Sequence, residues 1–313
     1  MEKQLFVIID GNALIHRAFH ALPGLTNSNG QMTNAVYGFV SVLIRILREL
    51  KPQYIACCFD LAAPTFRHEV YQAYKATRKK GPQELYDQLE PAKDFVRAFN
   101  IKIFEQAGFE ADDLIGSLAS QASIENSDLE TIIVTGDLDT LQLVTDKIKV
   151  WALKTGIKEM FLYDLEKIKE RFGLDSIQLP DYKGLKGDPS DNIIGVPGIG
   201  EKTASQLIQK YGSLERLYEA VANSEFSGRV YDLLNQNKDQ AFFSRDLSLI
   251  KKDISLDFKI ENVKFELPSF ENLKDIFEKY GFRSLWLRLE GINAEPIQKE
   301  QKKQIINTSL PGF

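Results

Sequence analysis

Cysteine is scarce in this chain: Cys57 and Cys58 are the only two among 313 residues. They are adjacent in an apolar run that predicts a strand, so their side chains should point to opposite faces of a sheet, which disfavours a bond between them. The sequence therefore argues against a disulfide-stabilised fold and fits a reducing, cytoplasmic location. A catalytic thiol is the alternative, but a buried and unreactive cysteine is more typical of such a run.

Long hydrophobic runs are also missing. No stretch of about 18 apolar residues occurs, so no membrane-spanning helix is expected. The first residues lead directly into a predicted strand, without the apolar core of a signal peptide. Histidine is sparse too: His16 and His20 have a spacing that can bind zinc on a helix, but His68 is the only other histidine and there is no HExxH pattern. We therefore favour surface positions on the first helix for His16 and His20.

Positive charge is not in excess either, since the formal net charge is −5. Nine acidic residues, however, follow apolar runs or open helices, where carboxylates have little structural purpose. These residues are Asp10, Asp60, Glu110, Asp112, Asp113, Asp137, Asp139, Asp188 and Asp191. Because the chain has 44 acidic and 39 basic residues, everything outside this group is mildly basic. Such a charge distribution permits contacts with the phosphates of a nucleic acid.

What the chain does contain is a regular alternation of apolar strands and amphipathic helices over residues 1–165. This alternation predicts an α/β fold with a mostly parallel central sheet and helices on both faces. Strands are predicted at 4–9, 53–59, 101–105, 131–135, 148–153 and 158–163. Helices are predicted at 12–20, 34–50, 112–124 and 138–144.

Other regions do not show this alternation of strands and helices. Residues 62–100 form a long insertion between two strands, and its first part is basic, aromatic and poor in core residues, which predicts an exposed arm. From about residue 175 helices dominate, and a short segment at 284–289 is expected to return to the main body. The predicted domains are an α/β core at 1–174, a helical lobe at 175–290, and a polar tail or linker at 291–313.

Four of the nine acids end or follow predicted strands: Asp10, Asp60, Asp137 and Asp139. In an open α/β sheet, the carboxyl edge of the strands is where ligands bind. So many like charges in one crevice require cations that neutralise them. Because all these ligands are oxygen atoms, with no histidine or cysteine among them, Mg²⁺ or Mn²⁺ is favoured over zinc.

The remaining acids have local alternatives. Glu110, Asp112 and Asp113 open a predicted helix, where the helix dipole stabilises acids. Three acids in four residues exceed what capping needs, so we favour metal binding for them. Asp188 and Asp191 could form an Asx turn and a helix cap. The fold would nevertheless bring all of these sites together.

A glycine-rich segment at 195–204 opens another predicted helix. It is not a Walker A loop, because Glu201 interrupts the required Gly-Lys pair. Gly198, Ile199 and Gly200 match a helix-hairpin-helix instead, in which backbone N–H groups bind a nucleic-acid phosphate without reading its sequence. Lys202 is placed to contact the same phosphate. The alternative is an ordinary turn between two helices.

Basic residues of the arm suit the same kind of ligand. Tyr74, Lys75 and Arg78 lie within about one turn of a predicted helix, so Lys75 and Arg78 can meet on one face. Arg17, in the first helix, is close in sequence to Asp10. A solvated basic surface is the alternative, but the proximity of the arm to the strand that ends near Asp60 favours phosphate contact.

Together these motifs resemble the 5′ nuclease domain of bacterial DNA polymerase I, within the flap endonuclease/5′-3′ exonuclease superfamily. In family order, the matching segments are Ile9 to Asn12, Phe59 and Asp60, Phe66 to Glu69, Tyr74 to Arg78, Glu110 to Asp113, Thr135 to Asp139, and Gly187 to Asn192, followed by Gly198 to Gly200. They cover residues 4 to about 290. One departure is Leu138, where the family often has a basic residue.

The resemblance implies a PIN-like core, a helical arch at about 62–100 and a helix-hairpin-helix at about 190–210. It implies two Mg²⁺ ions, for which Mn²⁺ can substitute. The tighter ion would be served by Asp10, Asp60, Glu110, Asp112 and Asp113. The second would be completed by Asp137, Asp139, Asp188 and Asp191. The scissile phosphate and the unpaired 5′ end would be handled by Arg17, Tyr74, Lys75 and Arg78. Further DNA contacts are implied for Arg67, His68, Gly198, Ile199, Gly200, Lys202 and Thr203, with K⁺ near the DNA backbone at the helix-hairpin-helix.

The activity expected from this resemblance is phosphodiester hydrolysis at or near a 5′ end, by 5′-3′ exonuclease and structure-specific flap endonuclease action in replication and repair. The expected substrates are DNA with 5′ flaps, nicks or free 5′ ends, and primer RNA on DNA. One alternative is a non-catalytic DNA-structure binder, and the other is a PIN-class ribonuclease, which typically lacks the helix-hairpin-helix. We expect a cytoplasmic, nucleoid-associated monomer, joined to a polymerase domain if the chain is a fragment.

Overall fold

The computed structural model describes residues 4–223 and 227–293. Its strands are β1 (Gln4–Asp10), β2 (Tyr54–Cys58), β3 (Lys102–Phe104), β4 (Leu129–Thr135), β5 (Ile148–Thr155) and β6 (Glu159–Tyr163). Its α-helices are α1 (Gly11–Ala21), α2 (Asn34–Leu50), α3 (Phe66–Val70), α4 (Gln83–Tyr86), α5 (Leu89–Ala98), α6 (Ala111–Glu125), α7 (Leu165–Phe172), α8 (Leu179–Lys186), α9 (Glu201–Tyr211), α10 (Leu214–Ala222), α11 (Arg229–Gln236), α12 (Lys238–Ser248), α13 (Phe270–Tyr280) and α14 (Arg283–Asn293). Short 3-10 helices lie at Asp139–Leu143, Ser176–Gln178 and Ile260–Val263. Within the described ranges, no helix has the length and apolarity needed to cross a membrane.

The six strands form one sheet in the order β3-β2-β1-β4-β5-β6. All neighbours are parallel except β5 and β6. The predicted fold, a mostly parallel sheet with helices on both faces, is confirmed. The chain adds β2 and β3 on one side of β1 and then places β4 on the other side. The carboxyl ends of β1 and β4 therefore mark the point where the strand order reverses, which is where open α/β sheets form a ligand crevice.

Both faces of the sheet are buried under helices. In β1, Phe6 and Ile8 belong to the core cluster that includes α6, whereas Val7 and Ile9 belong to the cluster that includes α1 and α2. All four side chains are wholly buried. This explains why β1 is a continuous apolar run rather than an alternating one. Asp10 is the last residue of β1, so the buried strand places its carboxylate in the crevice.

The helical region from α8 to α12 packs mainly on itself, with α8 against α9 and α12. The chain then returns to the core well before the predicted closing segment, since Ile254 N donates to Ser117 Oγ of α6. Leu285 and Leu289 of α14 are wholly buried in the cluster that contains β1 and α2. The helix α14 continues into the first residues of the predicted tail, and the rest of that tail lies outside the described residues.

The basic, aromatic first part of the insertion at 62–100 is exposed over much of its length, but it also contains buried side chains. Arg67 and Tyr74 are buried, each with 3% exposure. Residues 72–78 form turns rather than a helix. One reason is Lys75, whose φ of 54° is in the left-handed region that an α-helix does not admit. The predicted face shared by Lys75 and Arg78 is therefore not a helical face.

The segment predicted as a helix at 138–144 is a 3-10 helix, Asp139–Leu143. Its apolar residues Leu141 and Leu143 are buried. This short element begins immediately after the carboxyl edge of β4 and keeps Asp137 and Asp139 beside it.

Candidate functional site

A pocket of about 400 Å³ opens where the strand order reverses, and we call it the acidic pocket. Seven of the nine predicted acids line it: Asp10, Asp60, Glu110, Asp112, Asp137, Asp139 and Asp191. The basic side chains in its wall are His16, Arg17, His20, Arg67, Lys75 and Arg78. The topology thus brings side chains from distant parts of the chain into one crevice.

Two acids at the strand ends share one buried hydroxyl. The Thr135 hydroxyl donates a hydrogen bond of 2.6 Å to Asp10 Oδ2, and Thr135 Oγ1 accepts one of 2.9 Å from Asp137 N. The other oxygen of Asp10 accepts from Ala13 N at 2.9 Å. Thr135 is wholly buried, so these bonds fix both acids. Sequence reasoning missed Thr135, although its position two residues before Asp137 was a usable signal.

Asp60 connects β2 to the start of α6. Its Oδ1 accepts a hydrogen bond of 2.7 Å from Ala111 N, and its own amide donates to Asn12 Oδ1 at 3.1 Å. Ala111 begins α6, so the carboxylate satisfies one of the amides that a helix N-terminus leaves free. The same contact holds the first turn of α6 at the pocket, where Asp112 lines the wall.

Burial and mutual repulsion make these acids difficult to ionise together. Burial, with smaller contributions from the charges of Asp60 and Asp137, raises the pKa of Asp10 from 3.8 to about 7. Burial also raises the pKa of Asp139 to about 6, and the charge of Asp137 adds to this. For Asp112, burial and then Asp137 and Asp10 raise the pKa well above 3.8. Such carboxylates ionise readily only beside positive partners.

In the presence of a chelator, we expect the contribution of Asp10 to make the protein less stable as the pH rises from about 4 to about 7. Between the unfolded pKa near 3.8 and the folded pKa of about 7, the folded state holds a proton that the unfolded state has released. The free energy of unfolding therefore falls as the pH rises through this interval. Urea unfolding at a series of pH values measures it. Asp10→Asn should flatten the slope, and an unchanged slope in that variant would contradict the assignment.

Arg67 and Asp113 form a buried ion pair. Arg67 Nη1 is 2.6 Å from Asp113 Oδ2, and Nη2 is 2.8 Å from Oδ1. Asp113 is wholly buried and also accepts hydrogen bonds from Glu110 N and Lys251 N, while Arg67 Nε donates to Leu247 O. Both side chains are thus engaged with each other, and the metal ligation predicted for Asp113 and the DNA contact predicted for Arg67 stay predictions. Helix capping, the alternative considered for this segment, is the role that Asp113 has.

Glu110 receives the arm side chains. Lys75 Nζ donates to Glu110 Oε1 at 2.7 Å, and the Tyr74 hydroxyl lies 3.1 Å from Oε2. The same hydroxyl lies 3.0 Å from Asp191 Oδ2. Burial, together with these two acids, raises the pKa of Tyr74, so it remains a neutral hydroxyl donor. Tyr74 is thus a buried side chain that holds two acids in position.

Asp191 fixes the arm to the loop that follows α8. Arg78 Nη2 is 2.5 Å from Asp191 Oδ1, and Lys75 N donates to Asp191 O at 2.9 Å. The unusual φ of Lys75 is therefore stabilised by a backbone bond at the point where its side chain reaches Glu110. Backbone strain of this kind is concentrated at functional sites.

Lys183 of α8 lies between two acids for which sequence reasoning had found no partner. Its Nζ is 2.5 Å from Asp139 Oδ1 and 2.7 Å from Asp188 Oδ2. Burial opposes ionisation of Asp188, but the Lys183 ammonium outweighs it and the pKa falls to about 2. Asp188 is not part of the pocket lining, and Lys183 connects it to Asp139. The signal in the sequence was a lysine one helical turn before the Asp188 motif.

Two further predicted residues have structural contacts of their own. Arg17 lines the acidic pocket, and its Nη2 donates to Leu153 O at 2.9 Å. His68 Nδ1 lies 2.9 Å from Thr65 Oγ1 and belongs to the capping box at the start of α3. The predicted DNA contact of His68 stays a prediction.

The glycine-rich segment joins α8 and α9 as a helix-loop-helix. Gly198, Gly200 and Lys202 are exposed, and Gly198 has a φ of 88°, which favours glycine. The first amides of α9 have no partner within the helix and can bind an anion. The side chain of Ile199 is buried and its N–H donates to Val196 O at 3.0 Å, and its predicted DNA contact stays a prediction. Ile199 therefore packs the loop onto the core.

The donor set of the acidic pocket fits a hard divalent cation, because its ligands are carboxylate oxygens whose raised pKa values indicate a need for positive partners. Among residues 4–223 and 227–293, however, no three histidine, cysteine or acidic side chains are close enough to form a metal-binding group. The fit depends on the chemistry of the donors and not on a preformed coordination sphere.

The chain is similar to a known relative in sequence and to two solved structures in fold. The chain is 42% identical over 307 residues to DNA polymerase I of Caldicellulosiruptor bescii, an alignment that covers 97% of this chain and 35% of the relative. The chain thus spans about a third of the length of the curated relatives it matches.

The solved structures share the fold. The T5 5′-exonuclease with bound zinc has a TM-score of 0.66 and 20% identity, covering 92% of this chain and 98% of that one. The bacteriophage T5 flap endonuclease in a pseudo-enzyme-product complex with DNA and metal ions has a TM-score of 0.65 and 19% identity, with the same coverage.

Two family models match consecutive parts of the chain. The first, a 5′-3′ exonuclease N-terminal resolvase-like domain, matches residues 5–173. The second, a 5′-3′ exonuclease C-terminal SAM fold, matches residues 174–271. Because the two models together span most of the sequence, the chain belongs to the 5′-3′ exonuclease family.

Proposed function

We propose that this chain is a metal-dependent nuclease that hydrolyses phosphodiester bonds of DNA at or near a 5′ end, as a 5′-3′ exonuclease and flap endonuclease. The observation that carries the proposal is the acidic pocket, in which seven carboxylates meet Lys75 and Arg78 where the strand order reverses. The T5 structures, described with zinc or with DNA and metal ions, support it through their common fold.

The lining acids would hold the divalent ions, for which we propose two Mg²⁺ with Mn²⁺ as a substitute. The first ion would be held by Asp10, Asp60, Glu110 and Asp112. The second would be held by Asp137, Asp139 and Asp191, with Asp188 nearby. When bound, such ions supply an activated water and neutralise charge on the phosphate.

No side chain of the pocket has to act as a nucleophile. The thiols of Cys57 and Cys58 are wholly buried, and burial raises the pKa of both well above 9. Neither thiol lines the acidic pocket. This argues against the catalytic thiol that the sequence left open.

Basic side chains of the arm would complete the chemistry. Lys75 and Arg78 line the pocket, where they would offset negative charge that develops on the phosphoryl oxygens. Arg17 also lines the pocket and would contact a neighbouring phosphate. Tyr74 also lines the pocket and would position Glu110 and Asp191, because its hydroxyl contacts both.

The helix-loop-helix would hold the duplex through its backbone. The exposed Gly198 and Gly200 allow a phosphate to approach the free amides of α9, and Lys202 and Thr203 are in the first turn. K⁺ bound at this loop would strengthen the contact. Such binding recognises the shape of DNA and not its sequence.

Replacing Lys202 by alanine is expected to reduce the salt dependence of DNA binding, because one phosphate contact is lost. The slope of log Kd against log salt should fall by about 0.9. Fluorescence anisotropy with a nicked duplex in EDTA measures this slope. Lys264→Ala is the control, since Lys264 is exposed and pairs with Glu266 outside the site. An equal change in both variants would show that the loop makes no special contact.

The experiment that tests the proposed function compares a 5′-flap DNA and a plain RNA strand, each with Mg²⁺ and with EDTA. If the proposal is right, the protein cuts the 5′-flap DNA when Mg²⁺ is present and does not cut it in EDTA. Binding without metal-dependent cleavage would favour the non-catalytic DNA binder instead. Preferential cleavage of the RNA strand would favour a PIN-class ribonuclease.

Because the chain spans about a third of its curated relatives, several wider features are also proposals. They are cleavage of primer RNA on DNA, action as a monomer, and covalent connection to a polymerase domain. Cleavage of an RNA-primed duplex and light scattering of the purified chain test the first two.

A further inference from the structure

A second depression, which we call the lateral recess, adjoins the acidic pocket. It has a volume of about 460 Å³ and is formed by β5, the edge strand β6 and α7. Arg17 lines both cavities, and Leu138, the residue between Asp137 and Asp139, lines the recess. The two cavities are therefore neighbours that share an arginine in their common wall.

The lateral recess is basic, although the net charge of the chain is −5. Its lining contains Arg17, Lys154, Lys167 and Arg171, but only one acid, Glu170. Glu170 pairs with Lys167 at 2.8 Å. The lining therefore keeps an excess of positive charge, which suits a phosphate.

An aromatic surface lies beside these cations. Phe161 is 37% exposed and meets Tyr163 edge to face, with ring centroids 4.7 Å apart. Arg171 donates to the Tyr163 hydroxyl, and its guanidinium carbon lies 5.6 Å from the centre of the tyrosine ring. Tyr163 is thereby held in place, whereas Phe161 presents an open surface. Cations beside an exposed ring are the means by which proteins bind unpaired nucleotides.

We infer that the lateral recess binds one unpaired nucleotide of a DNA substrate that is cut at the acidic pocket. This inference rests on the proposed nuclease function and adds a contact beyond it. The base stacks on Phe161, the phosphate meets Lys154, and Arg17 connects the recess to the acidic pocket. The volume lies in the range of small-ligand pockets and suits a single nucleotide.

The test measures binding in EDTA to three duplexes: one with a plain nick, one with a single-nucleotide 5′ flap and one with a single-nucleotide 3′ flap. For the double variant Phe161→Ala with Lys154→Ala, Kd should rise about tenfold for one of the flaps and less than about twofold for the plain nick. The matched control is Leu162→Ala with Lys158→Ala. Both control residues are in the same hairpin and exposed, but they do not line the recess.

The flap that is affected identifies the strand that enters the recess. An equal loss on all three duplexes, or no loss, overturns the inference. Thermal unfolding checks that both variants are folded. As a second measurement, 5-iododeoxyuridine in the affected flap should cross-link to residues 159–163, and a cross-link confined to other segments also overturns the inference. These binding measurements are made without metal, so they do not depend on cleavage. A failure of the proposed nuclease activity would be seen separately, in the cleavage assay with Mg²⁺.

Discussion

Replacing Asp112 by alanine is expected to reduce flap cleavage by about 100-fold or more, while binding of the flap DNA changes little. Asp112 is in the first turn of α6 and lines the acidic pocket. Burial and the charges of Asp137 and Asp10 raise its pKa, so it belongs to the group that most needs a cation. Single-turnover cleavage with Mg²⁺ measures the rate, and anisotropy in EDTA measures binding.

The matched control for this experiment is Asp146→Ala. Asp146 is an exposed acid in the loop before β5 and does not line the pocket. The Asp146→Ala protein should cut the flap DNA at the wild-type rate. Equal cutting by the Asp112→Ala protein and the wild type would remove Asp112 from the site and weaken the metal assignment as a whole.

Replacing Arg67 by alanine is expected to destabilise the protein by about 3–5 kcal/mol, because it leaves a buried carboxylate without its partner. Asp113 is wholly buried, and Arg67 supplies two of its hydrogen bonds. Arg67 also connects α3 to the end of α12 through Leu247 O. Denaturant unfolding monitored by circular dichroism measures the loss.

Arg48→Ala is the control for the Arg67 experiment. Arg48 is half exposed and pairs with Glu49 on the surface of α2, so its removal should cost less than about 1 kcal/mol. A double variant, Arg67→Met with Asp113→Leu, should recover part of the stability, because no unpaired charge remains. If Arg67→Ala is as stable as Arg48→Ala, the buried ion pair is not a structural element of this fold.

The Asp112 and Arg67 experiments together separate two kinds of acid that look alike in the sequence, Asp112 and the partner of Arg67, Asp113. Asp112 should affect cleavage with little effect on folding, whereas Asp113 should affect folding first. They are adjacent in the first turn of one helix and point in different directions, one toward the acidic pocket and one toward Arg67. No local pattern distinguishes them, because the distinction depends on a residue 46 positions earlier in the chain.

Much of the fold could be predicted because local patterns specify it. The continuous apolar run of β1 requires burial on both faces, which a parallel sheet covered by helices provides. The acids that follow β1, β2 and β4 could be assigned to one edge for the same reason, since parallel strands all end there. The arm was harder to predict, because the turn at Lys75 depends on a backbone bond to Asp191.

The amino-acid sequence by itself determined the α/β core, the order of its strands along the chain and the collection of acids at their carboxyl ends, because each follows from periodicity and from charge placed after an apolar run. Only the tertiary structure decided which acids face the pocket, which are neutralised by Arg67 or Lys183, and that a basic, aromatic recess lies beside the site. These features depend on distances between side chains far apart in the chain, and no local pattern encodes such distances.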